Sequence, residues 1–207
     1  VTGAGSPIGM GRTMSLSLAQ AGAKVAMMDI NKDTLEESAN YVSEIAGDGM
    51  VLPIVGDVTD SQSAEKIDRD TIQEFGGVHI LVNDAGTNQA NVGESKTNVE
   101  PFWSVSPEGW SKVVAVNCSG PFFMSRAVVP HFLEQKWGRI ISIGGLSARQ
   151  ATIYGLRNLA IVHMTKTMSD QLGPDGITVN IVHPGSTQTE GVRQRMDTVS
   201  YTHLTLP

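Results

Sequence analysis

The sequence predicts an α/β protein with a doubly wound parallel sheet between two layers of helices. Two observations predict this class. Five short apolar runs, rich in β-branched residues, alternate along the chain with five longer amphipathic stretches. The apolar runs are nearly continuous, which is typical of parallel strands that are buried on both faces. Regular alternation of strands and helices indicates right-handed crossovers between parallel neighbours.

The predicted strands are the five apolar runs, at 24–29, 50–55, 78–83, 139–144 and 177–182. The predicted helices lie around and between them, at 12–21, 33–46, 61–75, 107–135 and 153–172. Ser106 followed by Pro107 provides an N-cap and a first-turn proline for the fourth helix. Asp60 or Ser61 can cap the third helix, and the glycine pair at 76–77 ends it.

Composition and charge exclude several classes of function. The 207 residues fit one domain, which we predict to cover residues 1–198. The net charge of −6 provides no basic surface for nucleic acid. The single cysteine, Cys118, excludes an internal disulfide and fits a reducing compartment. With no membrane span and no secretory signal, we expect a cytoplasmic protein.

Both ends of the chain are unusual. Val1 stands directly before a turn signal, so we expect that most of a preceding strand is missing. The last segment, 199–207, reads VSYTHLTLP and is either a short strand or, in the interpretation that we favour, a non-native tail. We therefore expect a fragment that is cut at both ends and lacks the last strand of its sheet.

A glycine-rich turn at residues 2–11, TGAGSPIGMG, precedes the first helix. Glycines allow the backbone to approach a pyrophosphate, and the helix N-terminus offers N–H groups to its charge. Asp29 lies 18 residues beyond Gly11, close to the ~20 that are typical of the acid on the adenosine ribose. A carboxylate there repels a 2′-phosphate, so the sequence predicts NAD in preference to NADP. The alternative is a glycine-rich turn followed by a solvated aspartate.

From Val1 to about Met196, the chain resembles the short-chain dehydrogenase/reductase family. The glycine turn is similar to the family's TGxxxGxG loop, matching it at Thr2, Gly3, Gly9 and Gly11. The turn has two residues more than the family loop, most simply Pro7 and Ile8. In the alternative alignment, Pro7 stands at the position of the family's second glycine, and the following helix is shifted by two residues relative to the family. The resemblance implies a Rossmann fold and hydride transfer between a nicotinamide and a secondary alcohol or ketone.

Three further segments are similar to cofactor-binding motifs of this family. GDV at 56–58 resembles the pair that brackets adenine, NDAG at 83–86 resembles NNAG, and HPGSTQTE at 183–190 resembles the PG motif beside the nicotinamide. The resemblance implies cofactor contacts from Asp57, Val58, Asn83, Ala85, Gly86, Pro184, Gly185 and Thr189. Taken singly, Asp57 could cap a turn, Asn83 could tie neighbouring strands together and PG could be a simple turn.

The family's catalytic groups are only partly matched. In the family a tyrosine exchanges the hydroxyl proton, a serine holds the substrate oxygen, a lysine lowers the tyrosine pKa, and an asparagine holds a relay water. The resemblance places the tyrosine at Tyr154 and the asparagine at Asn117, within VAVNCSGPFF. The alternative for Asn117 is a satisfied polar group in a long helix. The lysine position is Asn158 and the expected serine position is Gly145, with Ser142 in the preceding strand as a further candidate.

The missing lysine matters because a cation ~4 Å from the tyrosine, at an effective dielectric of ~20, lowers its pKa by about three units. Asn158 can bond to a ribose but carries no charge. Arg157 lies on the same helix face as Tyr154, and our hypothesis is that it partly replaces the lysine; the alternative is a solvated arginine. His183, at the end of a predicted strand, is a candidate for ligand contact.

Three functional interpretations remain open. The first is an NAD(P)-dependent oxidoreductase with Tyr154 as acid/base and a small alcohol or ketone as substrate. The second is a nucleotide-binding homologue, acting as a sensor or subunit, in which the changes at Asn158 and Gly145 have reduced catalysis. The third is a fragment that is inactive by itself. By resemblance, helices 107–135 and 153–172 form a subunit interface, which predicts a homodimer or homotetramer; no metal, membrane or nucleic acid is implied.

Overall fold

The computed structural model describes residues 1–88, 101–145, 153–185 and 187, without the side chains of Phe102, Ile153, Tyr154 and Leu156. Its strands are β1 (Val25–Asp29), β2 (Val51–Val55), β3 (Ile80–Asn83), β4 (Gly138–Ile143) and β5 (Ile177–Val182). The α-helices of the described ranges are α1 (Met10–Gln20), α2 (Lys32–Ala46), α3 (Ser61–Phe75), α4 (Pro107–Val114), α5 (Gly120–Gln135) and α6 (Ile153–Leu172). All five predicted strands are found within two residues of their predicted bounds.

The strands are all parallel, and the first residues of the chain join them into one sheet. β1 pairs with β2, while β3, β4 and β5 are neighbours in that order. Between these two groups, Thr2 donates its N–H to the Val82 carbonyl at 3.0 Å, and Met28 donates to the Val1 carbonyl at 2.9 Å. The order is therefore β2, β1, residues 1–4, β3, β4, β5. The glycine turn follows residues 1–4, at the topological switch point where α/β sheets bind ligands.

Helices cover both faces of the sheet, as predicted. Met27 of β1 belongs to a core cluster with α1 and α2, and its neighbour Met28 belongs to a larger cluster with α3 and α5. Successive strand residues point to opposite faces, so a strand buried on both sides needs apolar residues at every position. Met168 and Leu172 of α6 pack against the larger cluster. These two residues therefore face the sheet core.

The predicted helix 107–135 is interrupted by a π-helix at Ala115–Ser119, between α4 and α5. Ser106 caps α4 as predicted, because its side chain accepts the Gly109 N–H at 3.0 Å. Pro121, in the first turn of α5, has no N–H to donate, which breaks the regular ladder of helical hydrogen bonds. Single-turn π-helices occur frequently at functional sites, and this one contains Asn117.

No helix in the described ranges is long and apolar enough to span a bilayer. Residues 188–207 lie outside the described part of the chain. The predicted domain boundary at residue 198 and the segment 199–207, which we interpret as a tail, therefore remain predictions.

Candidate active site

The glycine turn is packed so tightly that a side chain would not fit at Gly3 or Gly11. A Cβ atom on Gly11 would lie 2.4 Å from the Gly3 carbonyl oxygen. Gly3 has a φ of +68°, and a Cβ there would lie 2.8 Å from the Ala85 Cα. The N-cap of α1 is Gly9, which has no side chain to bond the first turn of the helix. Such a turn, at the start of a helix, fits the binding of a pyrophosphate through backbone N–H groups.

Asp29 and Ser38 hold this turn from two sides. The Asp29 carboxylate accepts the Gly5 N–H on Oδ2 at 2.9 Å and the Asn31 N–H on Oδ1 at 3.0 Å. Ser38, fully buried in α2, donates its hydroxyl to the Gly5 carbonyl at 2.8 Å. The sequence analysis missed Ser38, because a single serine within an amphipathic helix carries no recognisable signal.

Thr2 connects the glycine turn to the segment that follows β3. Its Oγ1 accepts the N–H groups of Asp84 at 3.1 Å and Ala85 at 3.0 Å. Asn83, at the end of β3, is 4% exposed, and its Nδ2 reaches the Ser125 hydroxyl of α5 at 3.5 Å. Asn83 thus links β3 to α5 and not to a neighbouring strand, and its contact with the cofactor stays a prediction.

Asp84 is a largely buried carboxyl at the position where the family motif has its second asparagine. Burial raises the pKa of Asp84 to about 6, although the Gly11 backbone N–H opposes the shift by stabilising the carboxylate. Its Oδ1 makes no hydrogen bond within the described structure. Burial without full pairing disfavours a charged carboxylate. Ionisation of Asp84 at neutral pH therefore lowers the free energy of unfolding.

Asp57 and Val58 follow β2. Asp57 caps a turn, because its Oδ1 accepts both the N–H and the hydroxyl of Thr59 at 2.8 Å. Val58 is 6% exposed and packs on α5, where a Cβ on Gly120 would lie 2.9 Å from the Val58 Cγ2. These contacts match the turn-capping alternative for Asp57, and adenine binding by the pair stays a prediction.

The side chain of Asn117 is buried and its hydrogen-bonding capacity is filled. Nδ2 donates to the carbonyls of Thr87 and Val113, both at 2.8 Å. Oδ1 accepts the Thr87 N–H at 3.0 Å and a bond from Nη1 of Arg157. A primary amide offers two donors and two acceptor lone pairs, so a relay water needs another partner.

Arg157 and Asn158 are adjacent in α6 but differ in environment. Asn158 is 0% exposed. Arg157 is half-buried, and its guanidinium lies beside Asn117 and Gly86, where a Cβ on Gly86 would be 3.4 Å from Nη1. The contact excludes the alternative of a fully solvated arginine. The family's lysine position thus lies inside the protein, while the residue before it reaches the loop after β3.

The predicted serine positions lie at the end of β4. Ser142 is in register with Asn83, the last residue of β3, so it lies near the carboxyl edge of the sheet, but it is covered from solvent, with an exposure of 1%. Gly144 packs against His183, and a Cβ there would lie 2.7 Å from the imidazole Nδ1. The buried Gly145 follows. The position of the His183 ring therefore depends on the absence of a side chain at Gly144.

The remaining predicted residues are only partly described. The backbone of Tyr154 lies in the first turn of α6, one turn before Arg157, and its side chain is outside the described atoms. Pro184 and Gly185 follow β5, so they stand at the same carboxyl edge as Asp29. Thr189 lies outside the described residues.

A cavity of about 410 Å³ lies at the opposite end of the sheet. Its walls include Val25 and Ile80, the first residues of β1 and β3, together with Met124 and Val128 of α5. None of the residues predicted to bind the cofactor lines it in the described structure. Asp29 and Asn83, which are among those residues, lie instead at the carboxyl ends of β1 and β3.

Comparison with known proteins identifies the family to which this chain belongs. The family model for short chain dehydrogenases matches residues 1–200. An uncharacterized oxidoreductase of Thermotoga maritima is 32% identical over 203 residues, which are 95% of this chain and 74% of that protein. The structure of NAD⁺-bound xylitol dehydrogenase has a TM-score of 0.82 and 26% identity, covering 94% of this chain and 72% of the other. A 3-ketoacyl-(acyl-carrier-protein) reductase from Brucella melitensis, complexed with NADH, has a TM-score of 0.77 and 29% identity, covering 88% and 72%. The chain therefore belongs to the short-chain dehydrogenase/reductase family of oxidoreductases and has its Rossmann-like, nucleotide-binding fold.

Proposed function

We propose that residues 1–198 form the cofactor-binding and catalytic domain of an enzyme that transfers hydride between NAD and a small secondary alcohol or ketone. One observation carries the proposal: the glycine turn, which the Asp29 carboxylate binds, packs against the loop after β3, and Asn117 of the π-helix bonds to the same loop. The NAD⁺-bound and NADH-bound neighbours support a nicotinamide cofactor.

The residues present fit this cofactor. The glycine turn would hold the pyrophosphate, since it leads into the N-terminus of α1, where Gly9 provides no side-chain cap for the first N–H groups. Asp29 would bind the adenosine ribose and disfavour a 2′-phosphate. The adenine and nicotinamide ends would be held by the other predicted residues, Asp57, Val58, Asn83, Ala85, Gly86, Pro184, Gly185 and Thr189. When bound, the cofactor accepts or donates the hydride.

Tyr154 is the proposed acid/base. During alcohol oxidation its phenolate oxygen takes the hydroxyl proton while the carbinol carbon loses hydride, and during ketone reduction it returns that proton. Asn117 acts as a support: three of its four hydrogen bonds go to Thr87 and Val113, which fixes the loop after β3 against the π-helix. A fixed loop keeps the cofactor and the acid/base aligned, and such alignment supplies a large part of the rate enhancement of enzymes.

A nucleotide-binding homologue without efficient catalysis is the other candidate, because positions 158 and 145 lack the family's lysine and serine. The oxidoreductase relatives favour the enzyme.

We also propose a homo-oligomer. Apolar side chains on α5 and α6 are exposed within the described chain, including Phe122 at 50% and Leu159 at 53%; sedimentation velocity tests this.

The proposed function is tested in two steps. First, fluorescence titration with NADH and NADPH should show saturable binding that is tighter for NADH; no binding by the folded chain would refute the cofactor site. Second, a panel of secondary alcohols and ketones should show turnover that Tyr154→Phe abolishes without weakening NADH binding. Binding without any turnover would favour the non-catalytic homologue.

A further inference from the structure

A tyrosine that exchanges protons near neutral pH needs a lowered pKa. A free phenol has a pKa of ~10, so about one in a thousand is ionised at pH 7. The efficiency of an acid/base is highest when its pKa is near the working pH. In this chain the position four residues after Tyr154 is the uncharged, fully buried Asn158.

We infer that Arg157 supplies the positive charge of this site and acts as a positioning residue for Tyr154, so that the cationic function lies at position 157 instead of 158. The inference rests on the proposed function, in which Tyr154 is the acid/base. Three observations support it.

The first observation is that the guanidinium is anchored. Its Nη1 donates to Oδ1 of Asn117, whose other three hydrogen bonds to Thr87 and Val113 fix the orientation of the amide. A guanidinium that bonds a rigid amide loses little further freedom and holds its charge in one place. The positive charge of Arg157 is therefore held against the π-helix, whereas the charge of a mobile surface arginine has no fixed position.

The second observation is the space that Gly86 leaves. A Cβ atom at this position would lie 3.4 Å from Nη1 of Arg157 and 3.2 Å from Oδ1 of Asn117, a close fit for any larger residue. The glycine thus accommodates the contact between the arginine and the asparagine at the loop that follows β3.

The third observation is that this charge acts on the neighbourhood. The Arg157 charge works to lower the pKa of the Cys118 thiol, although burial has the larger effect and raises it. Cys118 follows Asn117 in the π-helix, so the guanidinium lies close enough to this segment to affect a neighbouring ionisable group. Tyr154 precedes Arg157 by three residues on the same helix, and residues at this spacing are neighbours.

The expected effect on Tyr154 is measurable. A cation ~6 Å away, at an effective dielectric of ~20, lowers a phenol pKa by about two units. Since arginine stays protonated at any accessible pH, the charge does not titrate together with the tyrosine.

Absorbance titration of the phenolate tests the inference without substrate or cofactor. The chain has three tyrosines, so the difference between each protein and its Tyr154→Phe counterpart isolates Tyr154. We expect the Tyr154 pKa to rise by about two units from the unmodified chain to Arg157→Met. Arg157→Gln keeps a donor for Asn117 without the charge and should give the same rise, whereas Arg157→Lys should keep the lower pKa.

Arg126→Met is the matched control, because Arg126 pairs with Glu65 on the surface at 2.9 Å; its Tyr154 pKa should equal that of the unmodified chain. Thermal melting verifies folding, and Arg157→Gln decides the question if Arg157→Met does not fold. An unchanged Tyr154 pKa in the folded, uncharged variant would overturn the inference. A shifted pKa in a chain that turns over no substrate would instead support the inference and count against the proposed function.

Discussion

The carboxylate of Asp29 lies directly against the backbone of Gly5, with Oδ2 accepting its N–H at 2.9 Å. A Cβ atom on Gly5 would lie 2.7 Å from the Asp29 Cγ, so the contact requires glycine. The end of β1 therefore places a negative charge at the rim of the glycine turn, where a dinucleotide would have its adenosine ribose.

Replacing this charge should change the cofactor preference. A carboxylate and a doubly charged phosphate ~5 Å apart in water repel each other by about 1.7 kcal/mol. Asp29→Asn should therefore bind NADPH roughly 10- to 20-fold more tightly than the unmodified chain, while NADH affinity changes less. Fluorescence titration measures both. Asp33→Asn, which neutralises an exposed acid in α2, is the control. If Asp29→Asn bound NADPH with the same affinity as the unmodified chain, Asp29 would have no role in discrimination between NAD and NADP.

The glycine turn should not tolerate a methyl group at Gly11. Because a Cβ there would lie 2.4 Å from the Gly3 carbonyl oxygen, Gly11→Ala must displace backbone. We expect a loss of about 2–4 kcal/mol in the free energy of unfolding and at least a tenfold loss of NADH affinity. Urea unfolding and NADH titration measure these effects. Gly173→Ala has open space around its Cβ and should be neutral; if both variants behaved alike, the packing argument would be wrong.

Asp84 should make the protein less stable as the pH rises. The pKa of Asp84 is raised from 3.8 to about 6 on folding, mainly by burial, so the folded state holds the proton more tightly. Stability then falls between about pH 4 and pH 6 and stays lower above that range, by at most about 3 kcal/mol for this group.

Asp84→Asn should remove that loss. At pH 7.5 we expect a gain of about 1–3 kcal/mol, or several degrees in Tm, with little difference near pH 4. Thermal melts across this pH range provide the measurement. Asp48→Asn, at an exposed turn position, serves as the comparison and should show no such pH-dependent gain. A destabilised Asp84→Asn at pH 7.5 would contradict a net energetic cost of the buried carboxylate.

Restoring a lysine at position 158 should not restore the site. Asn158 is 0% exposed, and an unpaired buried charge costs about 3–5 kcal/mol. Asn158→Lys should lower the Tm by about 10 °C, whereas Leu159→Lys, at a position 53% exposed, should have little effect. If Asn158→Lys melted like the unmodified chain and gained turnover, the lysine would have to reach the cofactor site, and the cation would belong at 158.

Strands and helices could be predicted from the sequence because burial leaves a pattern in it. Run 24–29 is apolar at its four central positions because residues of β1 pack on both faces of the sheet. Helix 61–75 has a capping aspartate before it and glycines after it, and α3 has these bounds. The interruption at 115–119 could not be predicted, since a π-helix differs from an α-helix by one residue in a turn and both are amphipathic.

The sequence by itself determined the fold class, the order of the elements and the identity of the residues at the carboxyl edge, because glycine turns, caps and apolar runs are local signals. Only the tertiary structure decided what those residues touch. Arg157 and Asn117 are 40 positions apart in the chain and bond to each other, Ser38 holds a turn 33 positions away, and Asn158 is buried. Such contacts depend on how α2, α6 and the π-helix pack across the sheet, and no short window of sequence contains both partners.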